Sequence, residues 1–288
     1  MHSFEFRAPS SIDETLNLLA ELGDEAKLLA GGTGLVNLMK QRLAQPAILI
    51  GLQRVQGLNS IAVQDGSLRL GALATQREVE TSPTVASFSS LLPQTYRHVA
   101  TVRIRNAATV GGGVVHGDPS QDPPPSLIAL DARMELRNRK GSRTVQADAF
   151  FKDYYETDVA PDELVTAVVV PPQPSGSRTA FIKFLPRTAD DYATVSVAVR
   201  LDIADGVIRD ARVALGAAGS TVIRARSAEN VLRGQRATVE AFRAAGAAAK
   251  DEVDPATDTR GSAGYKREMA EVWVRRALEQ AMGTGVHS

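Results

Sequence analysis

The segment Leu29-Ala-Gly-Gly-Thr-Gly-Leu35 decides how the first part of this chain folds. It follows the β-type apolar stretch 26–30 and precedes residues 36–42, whose apolar spacing is helical. In such a strand, glycine turn and helix start, backbone N–H groups and the positive end of the helix dipole converge on one point. Because glycine has no Cβ and accepts positive φ, a phosphate can approach closely. This first glycine segment therefore predicts an anion-binding turn.

A second glycine segment, Thr109-Val-Gly-Gly-Gly113, lies about eighty residues downstream. Neither segment continues as the Gly-Lys-Ser/Thr of a Walker loop, and the chain contains no Gly-x-Gly-x-x-Gly. Either segment alone is more typical of a tight turn than of a ligand site. Together they predict a nucleotide diphosphate that is held from two sides.

The first fifty residues predict a β-α-β-α-β order around the first glycine segment. Residues 4–7 form a short strand, and Ser11-Ile-Asp-Glu14 is a capping box that begins a helix. Gly23 ends this helix, and residues 26–30 and 48–50 supply two further strands.

Shorter elements follow from residue 58. Asp65-Gly66 predicts a hairpin between two strands, and Thr75-Gln-Arg-Glu78 is a second capping box. The proline-rich stretch 114–125 is predicted to be irregular. The remaining predictions in this part are helices at 84–91, 93–99 and 126–129, a hairpin of 133–136 with 143–146, and a buried strand at 165–170.

The stretch Pro171-Pro-Gln-Pro-Ser-Gly-Ser177 is typical of a linker, and we place a domain boundary there. The predicted domains are residues 1–172, with subdomains of about 1–57 and 58–172, and residues 178–283. Segregated strands and helices predict an α+β second domain. Its predicted elements are antiparallel strands at 180–185, 195–201 and 207–215 and helices at 227–232, 238–249 and 265–282.

Composition narrows the classes of function. The 33 basic and 33 acidic residues cancel, so the long-range field that attracts nucleic acid or anionic membrane is absent. No apolar segment approaches the roughly 20 residues of a membrane span, and a cytoplasmic protein is predicted. Without cysteine the chain cannot hold an iron–sulfur cluster in the usual way or use thiol chemistry. Any redox role therefore needs a bound organic cofactor.

Several motifs occur together, in one order and spacing, along nearly the whole chain. They are Phe6-Arg-Ala-Pro9, Ala30-Gly-Gly-Thr33, Ile104-Arg-Asn106, Thr109-Val-Gly-Gly112, Gly117-Asp-Pro119 with Asp122, Asp162-Glu-Leu164, Lys183, Asp191-Tyr-Ala193 and Tyr265-Lys-Arg267. In these motifs the chain resembles the FAD-binding medium subunits of the molybdenum hydroxylases. That family includes xanthine dehydrogenase, aerobic carbon monoxide dehydrogenase and bacterial hydroxylases of aromatic N-heterocycles.

The resemblance implies a fold and a set of partners. The expected fold is α+β: a two-part FAD-binding domain of the PCMH, vanillyl-alcohol-oxidase-like type, then a smaller α+β domain with a three-stranded antiparallel sheet and helices. FAD is expected in this chain. A molybdenum cofactor is expected on a large partner subunit and 2Fe–2S clusters on a small one, in a dimer of heterotrimers. The chain would then be an electron-transfer subunit with neither a catalytic residue nor a metal of its own.

The resemblance also implies which residues touch FAD. The pyrophosphate would lie between the two glycine segments, Asp122 would accept a ribose hydroxyl, and Leu164 would contact adenine. Lys183 and Tyr192 would lie beside the flavin. The predicted cofactor-binding residues are Leu29, Ala30, Gly31, Gly32, Thr33, Gly34, Leu35, Thr109, Gly111, Gly112, Gly113, Asp122, Leu164, Lys183 and Tyr192.

Two departures from the family pattern leave side-chain contacts open. Many relatives have His-Ser or Thr-Asp where this chain has Thr33-Gly34, and Asn where it has Gly113. The substrate of the complex also stays open among carbon monoxide, an N-heterocycle, an aldehyde and an acyl-CoA, although Thr33-Gly34 disfavours carbon monoxide slightly.

Four of the predicted FAD contacts also have simpler interpretations. Asp122 could be a solvated loop residue, Leu164 a core leucine, Lys183 a surface residue and Tyr192 the start of a strand. The trio of His116, Asp118 and Asp122 is a weak metal pattern, because one histidine among loop carboxylates is not specific. At the level of function, the alternatives are a self-contained FAD-dependent oxidoreductase and a non-catalytic nucleotide-binding regulator.

Overall fold

The computed structural model describes residues 2–185, 188 and 190–283. Its first unit is a three-stranded parallel sheet in the order β1-β3-β2, as the β-α-β-α-β prediction requires. The elements of this unit are β1 (Glu5–Arg7), α1 (Ile12–Leu22), β2 (Ala26–Leu29), α2 (Leu35–Lys40) and β3 (Ile48–Gly51).

The start of α1 follows the predicted cap in part. The Ser11 side chain accepts a hydrogen bond from the Glu14 N–H. The Glu14 carboxylate, however, accepts from the N–H and hydroxyl of Ser10, not from Ser11. The apolar face of α1, with Leu16 and Leu19, packs on β3 and encloses a small core.

The second unit is built on a five-stranded antiparallel sheet in the order β4-β5-β10-β6-β7. The central strand is buried along its whole length, with β5 and β6 at its two edges and a helix against it. The strands of this unit are β4 (Ile61–Gln64), β5 (Ser67–Gly71), β6 (Arg133–Asn138), β7 (Gly141–Gln146) and β10 (Leu164–Val170), with a separate pair β8 (Phe151–Asp153) and β9 (Glu156–Thr157).

Helices fill the connection between β5 and β6. Thr75 and Glu78 form the predicted capping box at the start of α3. The capping box predicted the start of this helix, which ends at Thr81, whereas the helix at 102–107 was not predicted. The helices of this unit are α3 (Gln76–Thr81), α4 (Pro83–Phe88), α5 (Leu91–Arg97), α6 (Val102–Ala107), α7 (Val110–His116), α8 (Pro123–Ala129) and α9 (Ala147–Phe150).

The prediction of irregular structure over 114–125 is wrong at both ends of that stretch. Residues 114–116 belong to α7, and α8 begins at Pro123. Three consecutive prolines are compatible with the first turn of a helix, because those N–H groups have no partner within the helix in any case.

The third unit is a four-stranded antiparallel sheet in the order β11-β12-β13-β14, covered on one face by three helices. The three long strands and three helices agree with prediction, and the short fourth strand is additional. No helix among the described residues is long and apolar enough to cross a membrane. The elements are β11 (Ser177–Phe184), β12 (Val195–Ala204), β13 (Val207–Gly216), β14 (Ile223–Arg224), α10 (Arg226–Leu232), α11 (Val239–Lys250) and α12 (Ala263–Ala281).

A polar junction holds this sheet against α8. The buried Arg200 donates from Nη1 to Asp131 Oδ2 at 2.9 Å and to Gln173 Oε1 at 2.7 Å. Arg212 Nε donates to Asp131 Oδ1 at 2.8 Å. Since Asp131 follows α8 while both arginines lie on the last sheet, these contacts fix the relative position of the second and third units.

Candidate functional site

All three units contribute to the wall of one cleft of about 680 Å³. This volume lies within the range of roughly 300–1,000 Å³ that is common for cofactor pockets. Every one of the fifteen residues predicted to bind FAD lies on the wall of this cleft. The fold therefore brings together residues that are up to 163 positions apart, from Leu29 to Tyr192.

The first glycine segment offers free backbone donors to the cleft. Among the hydrogen bonds of the described residues, none is donated by the backbone N–H groups of residues 31–35. Gly32 has a φ of +72°, which turns the chain between β2 and α2. A Cβ on Gly31 would overlap the carbonyl oxygen of Ala107, so this turn packs directly on the end of α6. The segment thus has the shape and the donors of an anion cradle.

The second glycine segment differs from its prediction, because it is the start of α7 and its donors are already used. The N–H groups of Val110 and Gly111 donate to the carbonyls of Ala74 and Ala72 at 2.9 and 2.8 Å. Those of Gly112 and Gly113 donate to the side chain and the carbonyl of Thr109. This segment presents a wall without side chains, and it does not present a row of free N–H groups.

His116, in the last turn of α7, lies against the first glycine segment. A Cβ on Gly34 would be 3.0 Å from the imidazole atoms Cε1 and Nε2. The ring of Tyr155 meets the imidazole edge-on, with centroids 5.1 Å apart. Burial lowers the pKa of His116, although the nearby Asp118 carboxylate opposes this. The imidazole therefore fills space that a side chain at position 34 would otherwise occupy.

Asp122 and Lys183 form a buried ion pair across the cleft. Lys183 Nζ donates to Asp122 Oδ2 at 2.9 Å and to the carbonyl of His98 at 2.9 Å. The two side chains are only 6% and 2% exposed. Asp122 Oδ1 has no hydrogen-bond partner. The interpretations of Asp122 as a solvated loop residue and of Lys183 as a surface residue are therefore wrong.

This pairing brings together two roles that the resemblance places at different parts of FAD. The resemblance assigns Asp122 to a ribose hydroxyl and Lys183 to the surroundings of the flavin. In the structure, however, the charged atoms of the two residues are 2.9 Å apart. Burial raises the pKa of Asp122 to about 6, although the charge of Lys183 opposes the shift. The pair is thus a single polar point on the wall of the cleft, where one oxygen of Asp122 has no partner.

The ion pair leads to a prediction about stability and pH. Because the pKa of Asp122 lies above that of an unfolded chain, its contribution to stability is greatest below about pH 4 and falls as pH rises towards 6. Lys183→Met removes the opposing cation, so the pKa of Asp122 rises further. We expect a loss of about 3–5 kcal/mol in urea unfolding at pH 8, where the carboxylate is charged and unpaired, and a smaller loss at pH 5.

Two variants serve as controls for this prediction. Lys183→Met with Asp122→Asn removes both charges and should recover most of the loss at pH 8. Arg137 and Asp13 form an ion pair of 2.8 Å on the surface, with side chains 41% and 78% exposed. Arg137→Met should cost at most about 1 kcal/mol at either pH. An equal loss for Lys183→Met at pH 5 and pH 8 would contradict the assignment of the buried charge.

Two tyrosines that line the cleft, from different units, meet at the buried Asp118. Tyr155 Oη donates to Asp118 Oδ2 at 3.4 Å. Burial, with the charge and hydrogen bonding of Asp118, raises the pKa of Tyr192. Tyr192 is nevertheless 45% exposed, and the guanidinium of Arg260 lies 5.7 Å above its ring. An aromatic face is thus available at the cleft, with a cation on one side.

The opposite part of the cleft is apolar. Leu164, at the start of β10, is 2% exposed and packs with Leu19 and Leu52, which also line the cleft. It is at once a core leucine and a wall residue, so the two interpretations of Leu164 are compatible. In the part of the chain that the structure describes, no group of three or more His, Asp or Glu side chains is placed to hold a metal ion.

Gln76 is a wall residue that the sequence analysis passed over. It is 4% exposed, and its Oε1 is buried without a hydrogen-bond partner. The sequence carries a signal for it: Gln76 is one helical turn from the fully buried Val79, and a polar residue on a buried helix face is unusual. Because Gln76 lies between the two capping residues Thr75 and Glu78, this part of the sequence was interpreted only as the start of a helix.

These features fit an FAD molecule. The free N–H groups of residues 31–35 suit a pyrophosphate, and the apolar wall around Leu164 suits an aromatic base. The orphaned acceptors Asp122 Oδ1 and Gln76 Oε1 suit a ligand that carries hydroxyl or N–H donors. The volume of the cleft suits a dinucleotide.

Comparisons with known proteins agree with this arrangement. Residues 2–173 match the family model of the FAD binding domain in molybdopterin dehydrogenase, and residues 180–281 match that of the CO dehydrogenase flavoprotein C-terminal domain. The chain is 37% identical to the carbon monoxide dehydrogenase medium chain of Hydrogenophaga pseudoflava over 278 residues, 96% of each chain. It is 34% identical to the nicotine 6-hydroxylase medium subunit of Paenarthrobacter nicotinovorans, over 97% of each chain.

A solved structure gives the same result. A chain of carbon monoxide dehydrogenase from Hydrogenophaga pseudoflava, in a form that lacks the Mo-pyranopterin moiety of its cofactor, superposes with a TM-score of 0.95. The two chains are 38% identical, and the match covers 99% of each.

Proposed function

Because this chain belongs to the family of FAD-binding medium subunits of the molybdenum hydroxylases, we propose that it is the electron-transfer subunit of such a complex. In this role it accepts electrons from 2Fe–2S clusters on a small partner subunit and passes them to an external acceptor. Substrate oxidation takes place at a molybdenum cofactor on a large partner subunit. The single observation that carries the proposal is the convergence of all fifteen predicted FAD contacts on one cleft.

The composition of the chain also supports a role in which the iron–sulfur clusters are held by partner subunits. The chain has no cysteine and therefore needs partners for any iron–sulfur cluster. When bound, FAD supplies a redox centre that can accept electrons singly or in pairs. The role of the protein is to hold and orient that cofactor.

The residues of the cleft divide this task between them. The N–H groups of the first glycine segment would hold the pyrophosphate, while Gly111, Gly112 and Gly113 form the wall on the other side. Each N–H bond to a charged phosphate contributes on the order of 1.5–3 kcal/mol, so a few of them offset an association cost of about 4–15 kcal/mol without a lysine. Leu164 would contact adenine, and Asp122 would accept a hydroxyl of the cofactor.

The side chains of the third unit would act on the flavin. Tyr192 would cover one face of the ring, since its own face is half exposed at the cleft. Lys183 would place a cation near the ring and favour a negatively charged flavin. Because Lys183 is already paired with Asp122, the size of this effect depends on the charge of that carboxylate.

The proposal extends to the assembly. We place the small partner subunit at the exposed side of the FAD domain near the flavin, in a heterotrimer that pairs into a dimer. A cytoplasmic location and domain limits of 1–172 and 178–283 belong to the same proposal.

A simple measurement tests the cofactor. We expect the purified chain to be yellow and to hold one FAD without a covalent bond, because it has no cysteine and the cleft binds by backbone and buried acceptors. Acid precipitation should leave all the flavin in the supernatant, and chromatography should identify FAD. Flavin that stays in the pellet, or FMN in place of FAD, would contradict the pyrophosphate cradle.

A further inference from the structure

We propose that the side-chain amide of Gln76 binds the imide edge of the flavin ring and so fixes its position in the cleft. The inference rests on the proposed function, since it takes FAD as the ligand. It assigns a cofactor contact to a residue that belongs to none of the motifs of the resemblance.

The state of the amide is the first observation. Gln76 is 4% exposed, lines the cleft and keeps Oε1 buried without a partner. Its Nε2 is not one of the buried atoms that lack a partner, so the unsatisfied atom is the oxygen. A buried acceptor left without a partner destabilises the folded protein. Such a cost is typical of a group whose partner is a ligand.

The position of the amide is the second observation. Gln76 Nε2 would be 3.1 Å from a Cβ placed on Gly113, and Gln121 Oε1 would be 3.6 Å from the same point. Gln121 precedes Asp122, which lines the cleft, keeps Oδ1 without a partner and pairs through its other oxygen with Lys183. Gln76 therefore lies in the polar part of the cleft, together with Asp122 and Lys183. This part is separate from the apolar wall around Leu164.

The hydrogen-bonding groups of the Gln76 amide indicate which part of FAD it binds. An amide offers one acceptor and one donor side by side, and here the buried acceptor lacks a partner. The imide of a flavin ring presents the complementary pair, an N–H beside a carbonyl. An adenine base belongs at the apolar wall of the cleft, and a pyrophosphate has no donor for Oε1. Of the parts of FAD, the imide edge therefore matches Gln76 best.

The absence of a side chain at position 113 makes this contact possible. Any larger residue there would press against Nε2, because a Cβ would already lie 3.1 Å away. Gly113 has an ordinary helical backbone, so an asparagine at this position would be compatible with α7. An asparagine at position 113 would carry its amide from a Cβ that lies 3.1 Å from the place of Gln76 Nε2.

The test compares binding with stability in the full-length chain after removal of flavin. We expect Gln76→Leu to raise the Kd for FAD about tenfold or more and to shift the near-ultraviolet band of the bound flavin. The affinity for ADP, which lacks the flavin half, should change by less than about twofold. The Tm of the flavin-free protein should not fall and should rise by up to about 4 °C, since an unpaired amide has been removed.

Gln173 provides a matched control. Its amide is fully bonded, with Nε2 donating to the carbonyls of Leu130 and Pro171 and Oε1 accepting from Arg200. Gln173→Leu should therefore lower Tm and leave the affinity for FAD unchanged. The rescue variant Gln76→Ala with Gly113→Asn should bind FAD more tightly than Gln76→Ala alone.

The outcomes separate this inference from the function on which it rests. If the wild-type chain binds no FAD, the proposed function fails. If the wild type binds FAD and Gln76→Leu binds it equally tightly, only the inference fails. Equal weakening of FAD and ADP, or no recovery in the rescue variant, would also overturn the assignment of Gln76 to the flavin ring.

Discussion

Gly32→Val is expected to yield a folded protein that holds less than about a tenth of the wild-type amount of flavin. Gly32 has a φ of +72°, where a β-branched residue costs about 1–3 kcal/mol. To relieve this strain the turn must rotate, and the free N–H groups of residues 31–35 then no longer converge. Since each such bond to phosphate is worth about 1.5–3 kcal/mol, losing two or more suffices to empty the cleft.

Gly66 provides the control for this variant. It has a φ of +73° in the hairpin between β4 and β5, and it does not line the cleft. Gly66→Val therefore introduces the same backbone strain elsewhere, with a similar loss of stability but a normal flavin content. The ratio of absorbance at 450 nm to that at 280 nm, read beside a thermal unfolding curve, checks both variants. Full flavin content in Gly32→Val would show that the segment is only a turn.

Gly111→Val should act differently from Gly32→Val, because the structure gives another reason for glycine at that position. A Cβ on Gly111 would lie 2.6 Å from the Cβ of Ala72 and 2.9 Å from its carbonyl oxygen. The glycine is thus required for packing of α7 against the end of β5. A side chain at this position would displace the helix, and it would not enter the space left for a phosphate.

The predicted strands and most helices follow from local signals. Asp65-Gly66 and Asp205-Gly206 determine two hairpins by turn chemistry, and apolar periodicity predicts α11 and α12. The start of α8 was missed because prolines were interpreted as breakers, although a helix accepts them in its first turn. The short strand β14 has two residues, too few for any periodic signal.

In the candidate site, too, some features could be predicted from the sequence and others could not. The family resemblance implied fifteen residues, and the fold places all of them on the wall of one cleft. Motifs could not show that the donors of the second glycine segment are used internally, since this depends on the register between residues 72–76 and 108–111. The pairing of Asp122 with Lys183 was equally hidden, because 61 residues separate them and only packing of the third unit brings them together.

The second prediction with a large expected effect concerns electron transfer from the partner subunits to the FAD of this chain. The isolated chain should carry FAD and yet oxidise none of carbon monoxide, an N-heterocycle or an aldehyde, because it has no cysteine with which to hold an iron–sulfur cluster. The complex purified with its two partner subunits should oxidise one of these substrates. We expect the turnover of the isolated chain to be below detection, as measured by flavin bleaching under anaerobic conditions.

The order of reduction in the complex distinguishes a relay from a self-contained oxidoreductase. In a relay, electrons reach this chain only through the clusters of the small subunit, so cluster absorbance should decrease no later than flavin absorbance after stopped-flow mixing with substrate. Gly32→Val, assembled with its partners, provides the control: its clusters should still be reduced by substrate, while transfer to an external acceptor is lost. A self-contained enzyme requires the opposite order, with the flavin reduced first and the clusters unnecessary. Flavin reduced ahead of the clusters, or steady turnover by this chain alone, would therefore replace the relay with that alternative.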